Sequence, residues 1–292
     1  MKTIRSPAAM AAWSRALTRE GVKVGLVPTM GALHAGHQAL IRAARLQCDA
    51  VVVSIFVNPT QFGPREDFSR YPRRLSRDQA LCRTEGVDIV FAPDRTAMYP
   101  EGFQTVVSVP GIARCWEGAA RPMHFQGVAT IVTKLLCLTQ PDAAFFGQKD
   151  YQQAALIRRM VADLNIGCAI MVLPTVREED GLALSSRNAY LSPTERKAAP
   201  ILFQSLTAGA EGIYKGSRVS KDIVRVMTDV IAREPKVRVE YLAVCHPTTL
   251  ESLTTIRNDC VLLGAVRVGA IRLIDNLPVT AKPVGSRRRS GG

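Results

Sequence analysis

The chain has 292 residues, of which 47% are hydrophobic and 22% charged, and its formal net charge is +13. Its length allows one large domain or two smaller ones, its composition is that of a globular protein, and no apolar run approaches the length of a membrane span. Because the basic residues are scattered and not interleaved with aromatic ones, we interpret the charge as a solvated surface rather than a nucleic-acid groove.

Strand and helix patterns alternate in the first 60 residues. The sequence predicts a helix over 7–20, a buried strand over 22–28 and a helix over 36–48. A run of β-branched residues over 50–57 predicts a second strand that is covered on both faces, as in a parallel sheet. This alternation is typical of an α/β fold.

The alternation continues to residue 176. We predict a helix over 73–85, a strand over 88–92, an irregular stretch to 118, a helix over 123–139, a strand over 142–147, a helix to 165 and a strand over 170–176. Gly147 ends its strand and begins a turn with Lys149 and Asp150 that leads into the next helix. The same plan of strand, glycine turn and helix occurs near the N-terminus.

The pattern changes after Ser192, where a capping box begins a helix. Helices over 193–209 and 220–233 are predicted to precede strands over 237–244, 260–268 and 270–274. We therefore predict a Rossmann-like parallel-sheet domain over 1–180 and a smaller α+β domain over 181–292. The basic, Gly- and Ser-rich residues 281–292 are expected to form a disordered tail.

The seven cysteines are dispersed and form no Cys-x-x-Cys pair. Most of them lie in apolar stretches, as Cys137 does, so we predict buried free thiols and no disulfide framework. This usage agrees with a reducing compartment. Because the N-terminal residues lack the apolar core of a signal peptide, a cytoplasmic location is expected.

Two of the four histidines, His34 and His37, lie in the turn between the first predicted buried strand and its helix. Free backbone N–H groups in such a turn and the helix dipole suit phosphate, and two imidazoles three residues apart could donate to one phosphate chain. A helix cap, a core pair and a zinc site are the alternatives. Zinc would need more ligands, and His124 and His246 are distant in sequence and lack Cys or acidic partners at metal-ligand spacing.

Three further loops carry polar groups suited to binding. Asn58 and Gln61 follow the second predicted strand, and ligands bind outside the carboxyl ends of parallel strands. Lys149 lies in the turn after Gly147, and the loop Ser185–Arg187 offers two hydroxyls and a guanidinium that match phosphate oxygens. Turn formation, a surface ion pair and a helix cap are the respective structural alternatives.

Together, four segments resemble the pantothenate synthetase (pantoate–β-alanine ligase) family, in the same order along the chain. They are Pro28–His37, Phe56–Gly63, Phe145–Gln153 and Leu182–Asn188. The first matches the family's form of the HIGH motif of class I aminoacyl-tRNA synthetases, and the last contains its counterpart of their KMSKS loop. The resemblance covers nearly the whole chain and extends to the HIGH-motif nucleotidyltransferase superfamily.

The resemblance implies an ATP-dependent ligation in two steps. (R)-Pantoate and ATP give pantoyl adenylate and pyrophosphate, and the amine of β-alanine then gives pantothenate and AMP. It also implies Mg²⁺, a homodimer, and small-molecule partners rather than nucleic acid or a membrane. The second domain is expected to act as a lid, since an acyl adenylate must be kept from water.

The resemblance also implies the site residues. Expected to act in catalysis are His34, His37, Lys149, Ser185, Ser186 and Arg187. Expected around ATP are Met30, Gly31, Ala32, Leu33, His34, Ala35, Gly36, His37, Gly147, Gln148, Lys149, Asp150, Val176, Leu184, Ser185, Ser186 and Arg187. Gln61 and Gln153 are expected to bind pantoate, and Gln61 also β-alanine. Metal ligands are not assigned by the resemblance.

Some of these roles carry qualifications. His37 is often assigned a proton-donor role in the family, which physically means a hydrogen bond or a protonated imidazole at the departing phosphate. Asn58 and Asp150 are expected to support the site or contact the ribose and metal. The chain departs from the family at Leu184, where Met is common, and at Gln38, where an apolar or basic residue is common. Leu for Met keeps volume and polarity, so the activity is not in doubt.

Two other functions remain as alternatives at this point. A cytidylyltransferase or a nicotinamide-nucleotide adenylyltransferase would share the HIGH motif but keep the nucleotide on its product. An RNA-binding protein derived from a synthetase would suit the net charge of +13, although no anticodon-binding extension is visible.

Overall fold

The computed structural model describes residues 1–64 and 66–281. These residues form two compact units. The first comprises Met1–Val176 and Leu184–Ser186, and the second comprises Arg177–Ala183 and the described residues from Arg187 onward. The domain boundary that we predict between residues 180 and 181 lies within residues 177–186, where the chain passes between the two units, and it stays a prediction. The expected tail lies, apart from Ala281, outside the described residues.

A parallel sheet forms the centre of the first unit. Its six strands, counted over the described residues, are β1 Lys2–Ile4, β2 Val24–Thr29, β3 Ala50–Ile55, β4 Ile89–Phe91, β5 Ala143–Gly147 and β6 Ala169–Leu173. Their order in the sheet is β1-β4-β3-β2-β5-β6, and all neighbours pair in parallel. Because β2 lies between β3 and β5, the chain winds away from β2 in both directions. Ligands of such sheets bind at this switch point, outside the carboxyl ends of the strands.

Helices surround this sheet. They are α1 Pro7–Arg19, α2 Ala35–Gln47, α3 Leu75–Thr84, α4 Arg95–Met98, α5 Pro110–Ala113, α6 Glu117–Ala120, α7 His124–Thr139 and α8 Tyr151–Asp163. Ile41 and Ala44 of α2 share a fully buried cluster with Val51 and Val53 of β3. Burial of each large aliphatic side chain stabilises the fold by about 1.5–3 kcal/mol. In the described part of the chain, no helix is both long enough and apolar enough to cross a membrane.

The second unit combines helices with an antiparallel sheet. The helices are α9 Pro193–Ala198, α10 Ile201–Tyr214 and α11 Ser220–Ile231, and the strands of the sheet, as far as it is described, are β7 Val237–Cys245, β8 Cys260–Val268 and β9 Ile271–Val279, in that order. Leu206 of α10 and Met227 of α11 pack with Leu262 of β8 in a buried cluster. The predicted fold class, a parallel α/β sheet followed by a smaller α+β part, is confirmed.

Several predicted elements differ in their limits. The edge strand β1 was not expected, because three residues are too few for a periodic pattern. The helix predicted over 193–209 is divided into α9 and α10 at Pro200, whose missing N–H interrupts the helical hydrogen bonds. The strand predicted over 270–274 extends to Val279, since it pairs with β8 along its whole length. The stretch predicted to be irregular up to 118 contains the four-residue helices α4 and α5 and the beginning of α6.

The cysteines are free, as predicted, but one expectation about their burial is wrong. All seven lie in the described residues with free thiols. Cys48, Cys82 and Cys168 are among the five that are buried, whereas Cys137 is exposed. Its apolar neighbours face the core from other sides of α7, so local composition misjudged the direction of its own side chain.

Helix α7 packs directly on the turn that follows β3. This 3₁₀ turn, Pro59–Gln61, approaches α7 at Gly127. A Cβ atom at Gly127 would lie 2.4 Å from the carbonyl oxygen of Thr60 and 2.7 Å from the backbone nitrogen of Gln61. Only glycine therefore permits this contact of backbone with backbone.

We predict that Gly127→Ala destabilises the protein. Alanine is the better helix former by about 1 kcal/mol, but the clash with the turn is an overpacking that costs about 1–3 kcal/mol. The free energy of unfolding, measured by urea denaturation, should fall by a net amount on the order of 1 kcal/mol. Gly111→Ala is the control, because a Cβ there meets no described atom within 4 Å. A Gly127→Ala protein at least as stable as the wild type would refute the packing argument.

Candidate active site

The turn after β2 has a tightly fixed backbone. Gly31 has a φ of +82°, and a Cβ there would lie 3.0 Å from Oδ2 of Asp78 and 3.1 Å from Cγ2 of Ile55. Thr29 Oγ1 accepts from the N–H of Gly31 at 3.1 Å and donates to the carbonyl of Ser54 at 2.7 Å. Glycine supplies the left-handed conformation that the turn needs at this crowded point.

A buried carboxylate completes the turn. Asp78, 2% exposed, accepts from the N–H groups of Ala32 and Leu33 at 2.9 Å each. Sequence reasoning missed Asp78, because it belongs to α3 and nothing in its helical context distinguishes it. These contacts also correct an expectation: the N–H groups of Gly31, Ala32 and Leu33 bind within the protein and are not available for phosphate.

His34 and His37 cap α2 reciprocally. Nδ1 of His34 accepts from the N–H of Gly36 at 3.2 Å, and Nδ1 of His37 accepts from the N–H of His34 at 3.3 Å. The ring centroids lie 4.1 Å apart. Because Nδ1 is the acceptor in both rings, the proton of each neutral imidazole resides on Nε2. The capping alternative is therefore correct as local structure, and it leaves each ring an Nε2–H donor.

Both imidazoles are neutral at physiological pH. Burial and, to a smaller extent, Lys149 lower the pKa of His34 to about 4 against an opposing effect of Asp150. Burial, together with the nearby His34, lowers the pKa of His37 to about 3. Since Lys149 and Asp150 act on both rings, the structure brings the turns after β2 and β5 together.

The second turn carries a charged pair. Gly147 ends β5, residues Gln148–Asp150 form a 3₁₀ turn, and α8 begins at Tyr151. Nζ of Lys149 lies 3.5 Å from Oδ1 of Asp150, and the two side chains are 21% and 47% exposed. An ion pair this open to solvent contributes little to stability. A cation and a carboxylate thus stand beside two neutral imidazole donors.

Gln61 lies against the first turn. Its Nε2 donates to Sδ of Met30 at 3.0 Å, and its Oε1 accepts from Nδ2 of Asn58 at 3.1 Å. The side chain is only 9% exposed. The structure thus brings Met30 and Gln61 together. Asn58 supports the side chain of Gln61 and also stabilises the loop itself by accepting from the N–H of Thr60.

The backbone of Gln61 is held by two residues that sequence reasoning did not select for the site. Nδ1 of His124 donates to the carbonyl of Gln61 at 2.9 Å, and Nη2 of Arg121 donates to it at 3.2 Å. Arg121 is in turn paired with Glu66 through Nη2 and Oε2 at 2.5 Å. Burial lowers the pKa of His124 to about 4, so this ring is neutral. Its Nε2 accepts from Nη1 of Arg121 at 3.2 Å, so both ring nitrogens are used in structural hydrogen bonds.

The two neighbouring glutamines of α8 differ in environment. Gln152 is buried, and its Nε2 donates to the carbonyls of Ile112 and Cys115 at 2.8 Å each. Gln153 is half-buried and makes no side-chain hydrogen bond with the described residues. Gln152 therefore anchors the loop around α5, whereas the amide of Gln153 can bind a ligand.

The serine loop, Ser185–Arg187, begins in a short segment, Leu184–Ser186, that belongs to the first unit. The N–H of Leu184 donates to the carbonyl of Val176 at 3.0 Å, and Oγ of Ser186 lies 3.1 Å from the hydroxyl of Tyr71. Ser185 belongs to the same short segment, whereas Arg187 belongs to the second unit. Tyr71 is a further residue that the sequence did not reveal.

Possible metal ligands are few. Within residues 1–64 and 66–281, no group of three or more His, Cys, Asp or Glu side chains is arranged to hold a metal ion. Mg²⁺ needs no such cage, since it is commonly held by one or two carboxylates, water and the phosphates of the substrate. Asp150, in the turn beside the two imidazoles, could supply such a carboxylate.

The lowered histidine pKa values predict how stability depends on pH. The pKa of His34, His37 and His124 falls from 6.5 in the unfolded chain to about 4, 3 and 4 in the folded one. Between these values the unfolded chain binds more protons, so the free energy of unfolding should rise with pH and fall on acidification below 6.5. His37→Gln should make this slope shallower in urea unfolding between pH 4 and 6.5, with the exposed His246→Gln as control. An unchanged slope in His37→Gln would contradict the assignment.

Comparisons with known proteins agree in one family. The family model described as Pantoate-beta-alanine ligase matches residues 2–278. A pantothenate synthetase of Chloroflexus aggregans is 54% identical over 255 residues, 87% of this chain and 92% of that one. The crystal structure of pantothenate synthetase from Thermus thermophilus has a TM-score of 0.91 at 50% identity, covering 96% of this chain and 100% of that one.

A second solved structure that is similar to this chain contains bound ligands of its own. It is the pantoate-beta-alanine ligase from Francisella tularensis complexed with beta-gamma ATP and beta-alanine. It has a TM-score of 0.77 at 33% identity and covers 95% of this chain and 97% of that one. On the family match and these similarities, the chain belongs to the pantoate–β-alanine ligase family.

Proposed function

We propose that the protein condenses (R)-pantoate with β-alanine through a pantoyl adenylate, with ATP as the second substrate of the first step. Family membership supports the ligase reaction, and the relative from Francisella tularensis was solved with an ATP compound and β-alanine. The observation that carries the proposal is the meeting of two neutral Nε2–H donors, on His34 and His37, with Lys149 at the ends of β2 and β5.

In the first step, a carboxylate oxygen of pantoate forms a bond to the α-phosphorus of ATP. The bond from that phosphorus to the bridging oxygen breaks, and pyrophosphate leaves with the electron pair. Negative charge grows on the equatorial oxygens and on the leaving group, so the protein acts by positioning and by preorganised donors. No side chain needs to act as a nucleophile.

The histidines act in this step as neutral hydrogen-bond donors. A pKa of about 3 for His37 leaves almost no imidazolium at neutral pH before substrate binds. Nε2–H of His34 and of His37 would donate to phosphate oxygens, and Lys149 would supply the positive charge. The family's proton-donor label for His37 then means hydrogen-bond donation to the departing phosphate.

The remaining ATP contacts come from the two turns and from the serine loop. We assign to them Met30, Gly31, Ala32, Leu33, Ala35, Gly36, Gly147, Gln148, Asp150, Val176, Leu184, Ser185, Ser186 and Arg187. The N–H groups of Gly31, Ala32 and Leu33 already donate to Thr29 and Asp78, so these three residues would shape the ATP site rather than donate to phosphate. Hydroxyls of Ser185 and Ser186 and the guanidinium of Arg187 match phosphate oxygens.

Neutral amides hold the acid substrate. Gln61 and Gln153 would bind pantoate, and Gln61 would also lie at the β-alanine site. In the second step the amine of β-alanine attacks the carbonyl carbon of the adenylate, the bond to the phosphate oxygen breaks, and AMP leaves. The new nitrogen loses its proton to give the amide of pantothenate.

We further propose a bound Mg²⁺, a homodimer and a cytoplasmic location. Asp150 would hold the ion together with the phosphates of ATP, and the ion would supply charge neutralisation on the pyrophosphate. The second unit would act as a lid that keeps water from the adenylate. The basic surface is proposed to have no nucleic-acid role, since family membership accounts for the chain over residues 2–278.

Pantoate-dependent ATP–pyrophosphate exchange tests the function directly. The wild-type protein should exchange label only when pantoate is present, because pyrophosphate forms with the adenylate. Addition of β-alanine should then release AMP and pantothenate. A nucleotidyltransferase would instead keep the nucleotide on its product, and an RNA-binding protein would show no exchange. AMP release that does not depend on β-alanine would reject the ligase mechanism.

Lys149→Ala tests the role of the cation. Removal of one preorganised charge stabiliser should lower the exchange rate by roughly a hundredfold or more. The matched control is Lys215→Ala, whose side chain is 79% exposed in the second unit, and exchange should stay at the wild-type rate there. Near-normal exchange by a folded Lys149→Ala protein would remove Lys149 from the mechanism.

A further inference from the structure

We infer that Tyr99 is a positioning residue that acts through Asn58 and stabilises the orientation in which the Gln61 amide faces the substrate. The inference rests on the proposed binding of pantoate by Gln61. It concerns the direction of one hydrogen bond, which decides whether Gln61 offers the substrate a donor or an acceptor.

The orientation of the Asn58 amide is fixed by backbone groups. Its Nδ2 donates to the carbonyl of Gly127 at 3.1 Å, and its Oδ1 accepts from the N–H of Thr60 at 3.4 Å. A carbonyl can only accept and a backbone N–H can only donate, so the two ends of the amide cannot be exchanged. Asn58 is 1% exposed, and water therefore does not compete for these bonds.

Tyr99 strengthens this orientation. Its hydroxyl donates to Oδ1 of Asn58 at 2.8 Å, the shortest hydrogen bond that Asn58 makes, and Oγ1 of Thr60 donates to the same atom at 2.9 Å. Burial raises the pKa of Tyr99, so the phenol keeps its proton and stays a donor. With Oδ1 occupied by donors, Nδ2 must face Gln61.

The orientation passes from Asn58 to Gln61. Because Nδ2 of Asn58 is a donor, the group of Gln61 that meets it at 3.1 Å must be the acceptor Oε1. The NH₂ group of Gln61 then points to Met30, in the turn that leads to the histidines. Gln61 thus presents N–H donors to the carboxylate of pantoate. With the amide reversed, its carbonyl oxygen would face the carboxylate and repel it.

The ring of Tyr99 is held firmly. Its centroid lies 5.1 Å from that of Phe103 in an edge contact and 6.2 Å from that of Phe56. Nζ of Lys134 on α7 lies 4.5 Å from the ring centroid of Phe103 and 5.8 Å from that of Tyr99. These contacts keep the hydroxyl in place and would survive its removal, so Tyr99→Phe isolates the hydrogen bond.

The test measures kinetic constants of pantoate-dependent exchange in Tyr99→Phe. Loss of one hydrogen bond of about average strength should raise the KM for pantoate about fivefold, with the KM for ATP and the kcat within about twofold of wild type. Tyr214→Phe is the matched control, because Tyr214 is 62% exposed in the second unit, and its constants should equal those of wild type. Tyr99→Phe/Thr60→Val removes both hydroxyl donors and should raise the KM for pantoate about twentyfold.

Combination with Gln61→Ala separates this inference from the proposed function. Gln61→Ala should itself raise the KM for pantoate, and a normal KM there would reject Gln61 as a pantoate residue. In the Gln61→Ala background, Tyr99→Phe should have no further effect, because the amide that it orients is gone. A full additional effect in that background, or a Tyr99→Phe protein with wild-type KM beside an impaired Gln61→Ala, would overturn the positioning role. Thermal unfolding of each variant shows whether a changed KM reflects lost structure.

Discussion

The parallel pairing of β2 with β3 on one side and β5 on the other is the constraint on which the site depends. Val24–Thr29 pairs with β3 along its whole length, and Gly25 and Leu26 also pair with Ala143 and Ala144 of β5. The turns after β2 and β5 must therefore leave the sheet at the same edge. A slip of one residue in either pairing would move each side chain of the strand to the opposite face of the sheet, where it would meet a different set of neighbours. Packing of the core therefore fixes the position of the site as well.

Within this frame, the first turn satisfies its own backbone before any ligand arrives. Asp78 holds two N–H groups, Thr29 a third, and the two histidine rings accept from the N–H groups of His34 and Gly36 at the start of α2. These contacts hold the two rings in place, so their Nε2–H groups are fixed donors that need no reorganisation when charge develops, which is the basis of electrostatic preorganisation. The cost is that burial depresses the pKa of both rings and that acid weakens the fold. Rigidity and neutrality of the donors thus have one cause.

Most of the sheet and the identity of the motifs could be predicted from the sequence, because strand periodicity and short motifs are local. The β-branched run that forms β3 and the turn with His34 and His37 are examples. Asp78 and Tyr99 could not be predicted, since their roles arise from contacts 46 and 41 positions away in the chain. The prediction that Cys137 is buried was wrong for the opposite reason: its local composition is apolar, and only the packing of α7 decides which side of the helix faces solvent.

The distribution of charge follows from the chemistry of the proposed reaction. Phosphate groups gain negative charge as the bond to pyrophosphate breaks, and Lys149 lies near the two imidazoles that we propose as phosphate donors. The attacking carboxylate must keep its electron density, which a tight guanidinium pair would withdraw; in the proposed reaction Gln61 orients it with neutral N–H groups instead. Arg121, the guanidinium nearest to Gln61 among the described contacts, is paired with Glu66 and donates to a backbone carbonyl. Its positive charge is thereby balanced beside the residue that we propose to hold the attacking carboxylate.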